Sequence, residues 1–144
     1  MMATNKQPLN IIVLGTNGTG KSTFARKYIR KMQLSYGRRA LIVSPHDVEH
    51  QDVPLRDLSD PQAFEFKKVI RTIYKEGSTI PQINRNVSDA ILVFDDCRTY
   101  LNAVTSNDLH RLLISRRQKN IELLTVAHGF TDVPPKMFTF ATHI

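Results

Sequence analysis

The stretch from Gly15 to Ser22 has the residue types and the spacing needed to hold a chain of phosphate groups. It matches the pattern G-x-x-x-x-G-K-[ST] at each fixed position. Its glycines let the backbone turn tightly and approach an anion closely, so that successive N–H groups can surround a phosphate. The predicted nucleotide-binding residues are Gly15, Thr16, Asn17, Gly18, Thr19, Gly20, Lys21, Ser22 and Thr23.

Three side chains of this loop have separate predicted tasks. Lys21 is placed to reach the β- and γ-phosphates, and the Ser22 hydroxyl is placed to bind Mg²⁺. Thr23 is expected to touch the α-phosphate. ATP and Mg²⁺ are therefore the predicted cofactors.

Two adjacent carboxylates, Asp95 and Asp96, follow the apolar run Ala90–Phe94. An apolar run that ends in an acidic residue is typical of a Walker B strand, whose first carboxylate holds Mg²⁺ through its water shell. We assign that task to Asp95. Asp96 is the predicted general base, placed to take a proton from an attacking water, and the alternative is that it caps the segment that follows.

A histidine ends a second, mainly apolar run, because the predicted strand Ile121–Ala127 is followed directly by His128. An imidazole can donate a hydrogen bond from either ring nitrogen, so His128 is a predicted sensor of the γ-phosphate or of the attacking water. The alternative is a solvent-exposed histidine at a strand end. Cys97 is interpreted as a small packed residue. The remaining histidines show no metal-ligand spacing and receive no role: His46, His50, His110 and His143.

Arg116 and Arg117 end a predicted helix immediately before that second run. Cations at a helix C-terminus interact favourably with the helix dipole, which is a purely structural explanation. The functional alternative is an arginine finger that reaches the γ-phosphate of a neighbouring subunit and neutralises charge in the transition state. Arg117 is the preferred finger, because Arg116 continues the apolar stripe of Leu112 and Leu113.

The elements that must position these residues are short apolar strands alternating with helices. This alternation predicts an α/β fold with a mainly parallel central sheet covered on both faces. The carboxyl ends of such strands share one edge, where ligands bind. The predicted strands are Asn10–Leu14, Ala40–Val43, Ala90–Phe94, Ile121–Ala127 and Met137–Ile144. The predicted helices run from Lys21 to Tyr36, from Asp60-Pro61 to Gly77 and from Asn107 to Arg117, with 46–59 and 78–89 irregular.

Length and composition are those of one domain spanning residues 1–144. The chain has 144 residues, 41% of them hydrophobic, and a formal net charge of +7. Its apolar runs are shorter than the roughly 20 residues of a membrane span, and no secretory signal is apparent. A soluble, intracellular domain is therefore expected. A single cysteine excludes an internal disulfide framework and a multi-cysteine metal site.

The positive charge is concentrated in the first third of the chain. Residues 1–46 contain eight Lys or Arg and no acidic residue, whereas the remainder has 12 basic and 13 acidic residues. A solvated helix face is one explanation. The other is a surface that meets phosphates, either of nucleic acid or of the nucleotide of a neighbouring subunit.

Together these motifs resemble the HerA/FtsK branch of P-loop ATPases, which includes viral DNA-packaging ATPases. The resemblance rests on Gly15–Ser22, on Ile91–Asp96 and on the block from Arg117 to His128. It implies a three-layer, RecA-like P-loop NTPase fold with an added strand between the phosphate-loop strand and the Walker B strand. Three residues depart from the family pattern: Asp96 replaces glutamate, His128 replaces glutamine and Asn120 replaces glycine. The family continues with further strands, so 1–144 is either a minimal core or a piece of a longer chain.

The resemblance implies an ATPase that forms a homo-oligomeric ring and translocates or packages double-stranded DNA. Candidate DNA-contacting segments are Ser78–Asp89, with Arg85, and the segment with Arg98. The alternative is a small-molecule phosphotransferase, in which Asp47 and Glu49 bind substrate and the paired arginines belong to a lid. A core strand follows those arginines at once, which leaves no lid loop. A third reading is a nucleotide-binding regulator without turnover.

Overall fold

A single parallel sheet forms the centre of the molecule. The structure, a computed structural model, describes residues 8–15, 21–101 and 106–143. Its strand order is β1-β5-β4-β2-β3, and every neighbouring pair is parallel. The added strand, β5, therefore lies between the phosphate-loop strand and the Walker B strand, as predicted. The strands are β1 (Asn10–Leu14), β2 (Arg39–Ser44), β3 (Val69–Ile73), β4 (Ala90–Phe94) and β5 (Ile121–Ala127).

Helices cover both faces of this sheet and give the predicted three layers. On one face α1 buries Ala25 and Ile29 against Ile42, Val93 and other sheet residues. On the other face three helices pack on a larger core. The helices are α1 (Lys21–Tyr36), α2 (Thr79–Asn86), α3 (Ser106–Ser115) and α4 (Pro135–Thr139). Within the described ranges, no helix is both long and apolar enough to cross a membrane.

The predicted helix from Asp60-Pro61 to Gly77 is wrong. Asp60 does cap a turn, accepting a hydrogen bond from the backbone N–H of Gln62 at 3.0 Å, but the turn is a short 3-10 helix that ends at Glu65. The chain then enters β3, whose β-branched residues favour a strand. Gly77 has a φ of 75° and belongs to the turn after this strand. Phe66 and Ile70 are among the apolar residues whose spacing also fits a helix. This spacing led to the wrong prediction.

Two further predictions on the second half of the chain are corrected. Residues 78–89 are not irregular, since they contain α2, in which Pro81 lies in the first turn, where a helix tolerates a missing N–H. Met137–Ile144 is not a strand, because Pro135 starts α4. Among its described residues, 137–143, only His143 makes a parallel bridge, to Ile11 at the outer edge of β1.

Candidate functional site

The carboxyl ends of four strands meet at one edge of the sheet, where the predicted carboxylates and the predicted sensor lie. Arg116 and Arg117 precede β5 and therefore lie at the opposite edge. The backbone N–H of Gly15, after β1, donates to the carbonyl of Ala127 at 3.2 Å. The N–H of Asp95, after β4, donates to the carbonyl of Val43 at 2.8 Å. This parallel pairing brings the ends of β1, β5, β4 and β2 into one row, as the sequence predicts.

The predicted phosphate-binding loop lies between the strand and the helix that its motif requires. β1 ends at Leu14 and α1 begins at Lys21, so the strand-loop-helix context is present. Thr23 is exposed in the first turn of α1. Thr16, Asn17, Gly18, Thr19 and Gly20 lie outside the described residues, as do the side chains of Lys21 and Ser22. Their contacts with a nucleotide remain predictions.

Asp95 is a buried carboxylate fixed at three points. Its backbone N–H is bonded to β2, and the Tyr100 hydroxyl lies 2.8 Å from its carbonyl oxygen. Its Oδ2 lies 2.7 Å from Nε2 of His50, and both side chains are nearly inaccessible to solvent. An ionisable group this buried needs such partners, because unpaired polar groups are costly away from water.

Asp96 is held in a left-handed backbone conformation, with φ 48° and ψ 57°. Its side chain makes no capping hydrogen bond to the turn that follows, so the capping alternative is wrong. Its Oδ1 is buried and has no hydrogen-bond partner among the residues that the structure describes. Among the described side chains, Nε of Arg98 lies 3.6 Å and Nε2 of His128 lies 3.8 Å from this oxygen. The structure thus brings the predicted general base and the predicted sensor side by side.

This pair of carboxylates fits a magnesium site. Mg²⁺ prefers oxygen ligands, retains several waters and is commonly bound by one or two carboxylates together with substrate phosphates. Asp95 supplies a rigid carboxylate at the strand end. Oδ1 of Asp96, which has no hydrogen-bond partner among the described residues, keeps its capacity to accept a hydrogen bond.

His50 contacts the predicted metal carboxylate, although sequence reasoning gave it no role. It lies in the loop after β2, adopts a φ of 57° and contacts Asp95 across a separation of 45 residues. No spacing rule links these positions. The only available signal was the place of the loop, which follows a strand that ends at the ligand-binding edge.

Arg116 is not an arginine finger. It is 1% exposed, and its Nη1 donates to the backbone carbonyls of Pro8 at 2.8 Å and Leu9 at 3.3 Å. Burial lowers the pKa of Arg116. It continues the apolar stripe of α3 into the core, as its spacing suggested. Arg117 is exposed and remains the candidate finger.

Asp47 is committed to the structure of the loop that follows β2. Its Oδ1 lies 2.5 Å from Nη1 of the buried Arg71, and hydrogen bonds from Gln51 and Arg71 lower its pKa. The Asp47 carboxylate therefore holds this loop through Arg71, while its side chain is half exposed and Glu49 is exposed.

Part of the basic charge in residues 1–46 is structural. Arg38 and Arg39 make five hydrogen bonds to backbone carbonyls at the amino ends of the strands and adjoining loops. By contrast, Lys27, Arg30 and Lys31 are exposed on α1. Among the described residues of this region, the exposed cations without such a structural role therefore lie on the outer face of α1.

Cys97 is a packed residue, as the sequence suggested. It is fully buried in the core beside the site. Burial raises the pKa of its thiol to about 12. The thiol is consequently protonated at neutral pH and plays no nucleophilic part.

No family model and no curated protein matches this chain, but solved structures do. The genome packaging NTPase B204 of Sulfolobus turreted icosahedral virus 2, in complex with AMP, superposes with a TM-score of 0.73 at 17% identity, covering 94% of this chain and 73% of that chain. The N-terminal domain of the DNA packaging ATPase from bacteriophage phi29 gives 0.52 at 18% identity, covering 93% and 79%. The Sulfolobus solfataricus SWI2/SNF2 ATPase core in complex with dsDNA gives 0.58 at 12% identity, covering 93% of this chain and 31% of that chain. The chain thus has the α/β P-loop NTPase fold, and its structural neighbours include viral genome-packaging ATPases.

Proposed function

We propose that the chain is the motor domain of an ATPase that translocates or packages double-stranded DNA in the cytoplasm of a bacterial or virus-infected cell. The observation that carries the proposal is the pairing of Asp96 with His128, beside the buried Asp95, at the sheet edge where the phosphate-loop motif begins. The likeness in fold to viral packaging ATPases supports it.

Each residue of this edge has a defined part in the proposed reaction. Residues Gly15–Ser22 hold the triphosphate, with Lys21 on its β- and γ-phosphates. Mg²⁺, held by Ser22 and Asp95, would neutralise charge on the transferring phosphoryl group. Asp96 accepts a proton from the attacking water, which is general base catalysis. His128 donates a hydrogen bond to the γ-phosphate or to that water and reports phosphate release.

Arg117 is proposed to act in a neighbouring subunit of a homo-oligomeric ring. It is exposed in the turn between α3 and β5, so its charge is available to a partner. A guanidinium delivered by a neighbour stabilises transition-state charge without being part of the nucleotide's own binding site. Turnover would then depend on assembly of the ring.

The adjacent arginines provide a matched pair of variants. We expect Arg117→Ala to lower turnover about 10³-fold without lowering the free energy of unfolding. Arg116→Ala is expected to lower the free energy of unfolding by about 2–5 kcal/mol, because it removes buried packing and hydrogen bonds. Steady-state ATPase assays and urea unfolding measure the two effects. Wild-type turnover in Arg117→Ala would contradict the finger assignment.

Contacts with DNA are proposed on exposed cations. Arg85 is exposed in the last turn of α2, which lies in the segment 78–89. Arg98 is half exposed, although it also faces Asp96. The outer face of α1 adds Lys27, Arg30 and Lys31. Such groups attract the phosphate backbone independently of base sequence.

The decisive functional assay is ATP hydrolysis as a function of double-stranded DNA and of protein concentration. A ring motor is expected to hydrolyse ATP faster with both, since DNA and neighbouring subunits complete its site. A phosphotransferase would respond to neither and would need a phosphate acceptor. Lys21→Ala serves as the background control for contaminating ATPase. Turnover that is indifferent to DNA and to concentration would contradict the proposal.

A further inference from the structure

We propose that His50 is a positioning residue that holds the Asp95 carboxylate in the orientation needed for the magnesium–nucleotide complex. The inference rests on the proposed function. It gives a role in that function to His50, which lies outside the sequence motifs described above. His50 acts through Asp95 and does not itself touch the nucleotide.

The contact between the two side chains is short and sheltered from water. Nε2 of His50 lies 2.7 Å from Oδ2 of Asp95, and their side chains are 4% and 7% exposed. Water has little access to replace a hydrogen bond at such a site, so the carboxylate depends on the imidazole for its orientation.

A second contact determines which ring nitrogen carries the proton. Nη1 of Arg26 lies 3.4 Å from Nδ1 of His50, and a guanidinium can only donate. Nδ1 must therefore accept, which leaves Nε2 of the neutral ring as the N–H that donates to Asp95. Arg26 is itself fixed by Asp52, with Nη1–Oδ1 and Nη2–Oδ2 distances of 2.9 and 2.5 Å. The chain of contacts runs from Asp52 through Arg26 and His50 to Asp95.

The buried Arg71 holds the loop that carries His50 through two contacts. Nε of Arg71 donates to the carbonyl of Val53 at 2.9 Å, and its Nη1 reaches Asp47. His50 has a left-handed φ of 57°, a conformation that is uncommon for residues other than glycine and persists where surrounding contacts enforce it. The anchored loop thus maintains an unusual backbone conformation at the residue that orients the metal carboxylate.

Carboxylates that bind a metal depend on such hydrogen-bond partners, and loss of a partner typically costs about 10–100-fold in metal affinity or activity. His50 is in this position relative to Asp95. Without it, the carboxylate is free to turn about its side-chain bonds. We therefore expect the loss of His50 to weaken the Mg²⁺-dependent binding of the nucleotide and to leave its metal-free binding unchanged.

The test compares His50→Asn with His50→Gln. Asparagine tolerates the left-handed backbone but is too short to reach Asp95, whereas the glutamine amide nitrogen can take the place of Nε2. His46→Ala, an exposed histidine of the same loop, is the matched control. Calorimetry with β,γ-methylene ATP, in EDTA and across a Mg²⁺ titration, gives affinity with and without the metal.

We expect His50→Asn to raise the Mg²⁺ concentration needed for tight binding of the analogue by about 10–100-fold. Its affinity in EDTA should equal that of the wild type, His50→Gln should recover most of the loss, and His46→Ala should behave as wild type. An unchanged Mg²⁺ titration in His50→Asn would overturn the inference. Equal losses with and without metal would also overturn it, since they indicate a structural role alone.

Two further outcomes separate this inference from the proposed function. If the wild type shows no binding of the analogue at any Mg²⁺ concentration, the proposed function fails and the inference fails with it. If the wild type binds and only the His50 prediction fails, the function stands. NMR of wild-type protein with ¹⁵N-labelled histidine is a readout independent of folding of the variants. The expected His50 ring carries its proton on Nε2, and a proton on Nδ1 alone would overturn the inference.

Discussion

Asp96→Asn is expected to lower ATP turnover about 10²–10⁴-fold while leaving nucleotide binding intact. The amide has the shape of the carboxylate but cannot take a proton from water. Asparagine also tolerates the left-handed φ of 48° at this position, so the backbone should be unchanged. Single-turnover hydrolysis and binding of β,γ-methylene ATP measure the two quantities separately.

Asp89→Asn is the matched control for this substitution. Asp89 also has a left-handed φ, of 51°, and lies at the opposite end of β4 from Asp96. The same chemical change there should leave turnover at the wild-type level. Retained hydrolysis in Asp96→Asn would remove the general-base assignment, and loss of analogue binding would point to a role in holding the nucleotide.

Lys21→Ala is expected to abolish tight binding of the nucleotide and to lower turnover by at least about 10²–10³-fold. The side chain supplies a positive charge to the β- and γ-phosphates, where negative charge is greatest, and removal of one such preorganised contact typically costs this much. Binding of the analogue in the presence of Mg²⁺, followed by steady-state hydrolysis, measures the loss.

Lys27→Ala is the control for charge alone. Lys27 is an exposed lysine further along the same helix, and its removal lowers the net charge by the same amount. We expect it to bind the nucleotide as the wild type does. Binding of the analogue by Lys21→Ala with wild-type affinity would contradict the phosphate-loop assignment.

The strands that position the site were predictable because each is a mainly apolar run, as in parallel sheets buried on both faces. β4 is apolar throughout, β5 is interrupted by Glu122 and Thr125, and both lie where the sequence placed them. β3 was not predictable in this way, because Phe66, Ile70 and Ile73 repeat at a spacing that also suits a helix. Its place is decided by pairing with the free edge of β2, which is a tertiary effect.

Some residues of the candidate site were likewise predictable from the sequence, and others were not. Asp95, Asp96 and His128 were predictable as neighbours, because the ends of parallel strands share one edge. His50 was not, since it reaches Asp95 only after Arg71 and Arg26 have fixed the loop after β2. The burial of Arg116 was predictable from its place on the apolar stripe of α3. Its hydrogen bond to the carbonyl of Pro8 was not, because the two residues lie far apart in the sequence.

The most direct test of the central claim is a crystal structure of the wild-type protein with Mg²⁺ and β,γ-methylene ATP. The account predicts the triphosphate enclosed by residues 15–22, Mg²⁺ facing Asp95, and Asp96 and His128 beside the γ-phosphate. A nucleotide bound elsewhere on the molecule, or Asp95 and Asp96 remote from the phosphates, would contradict it.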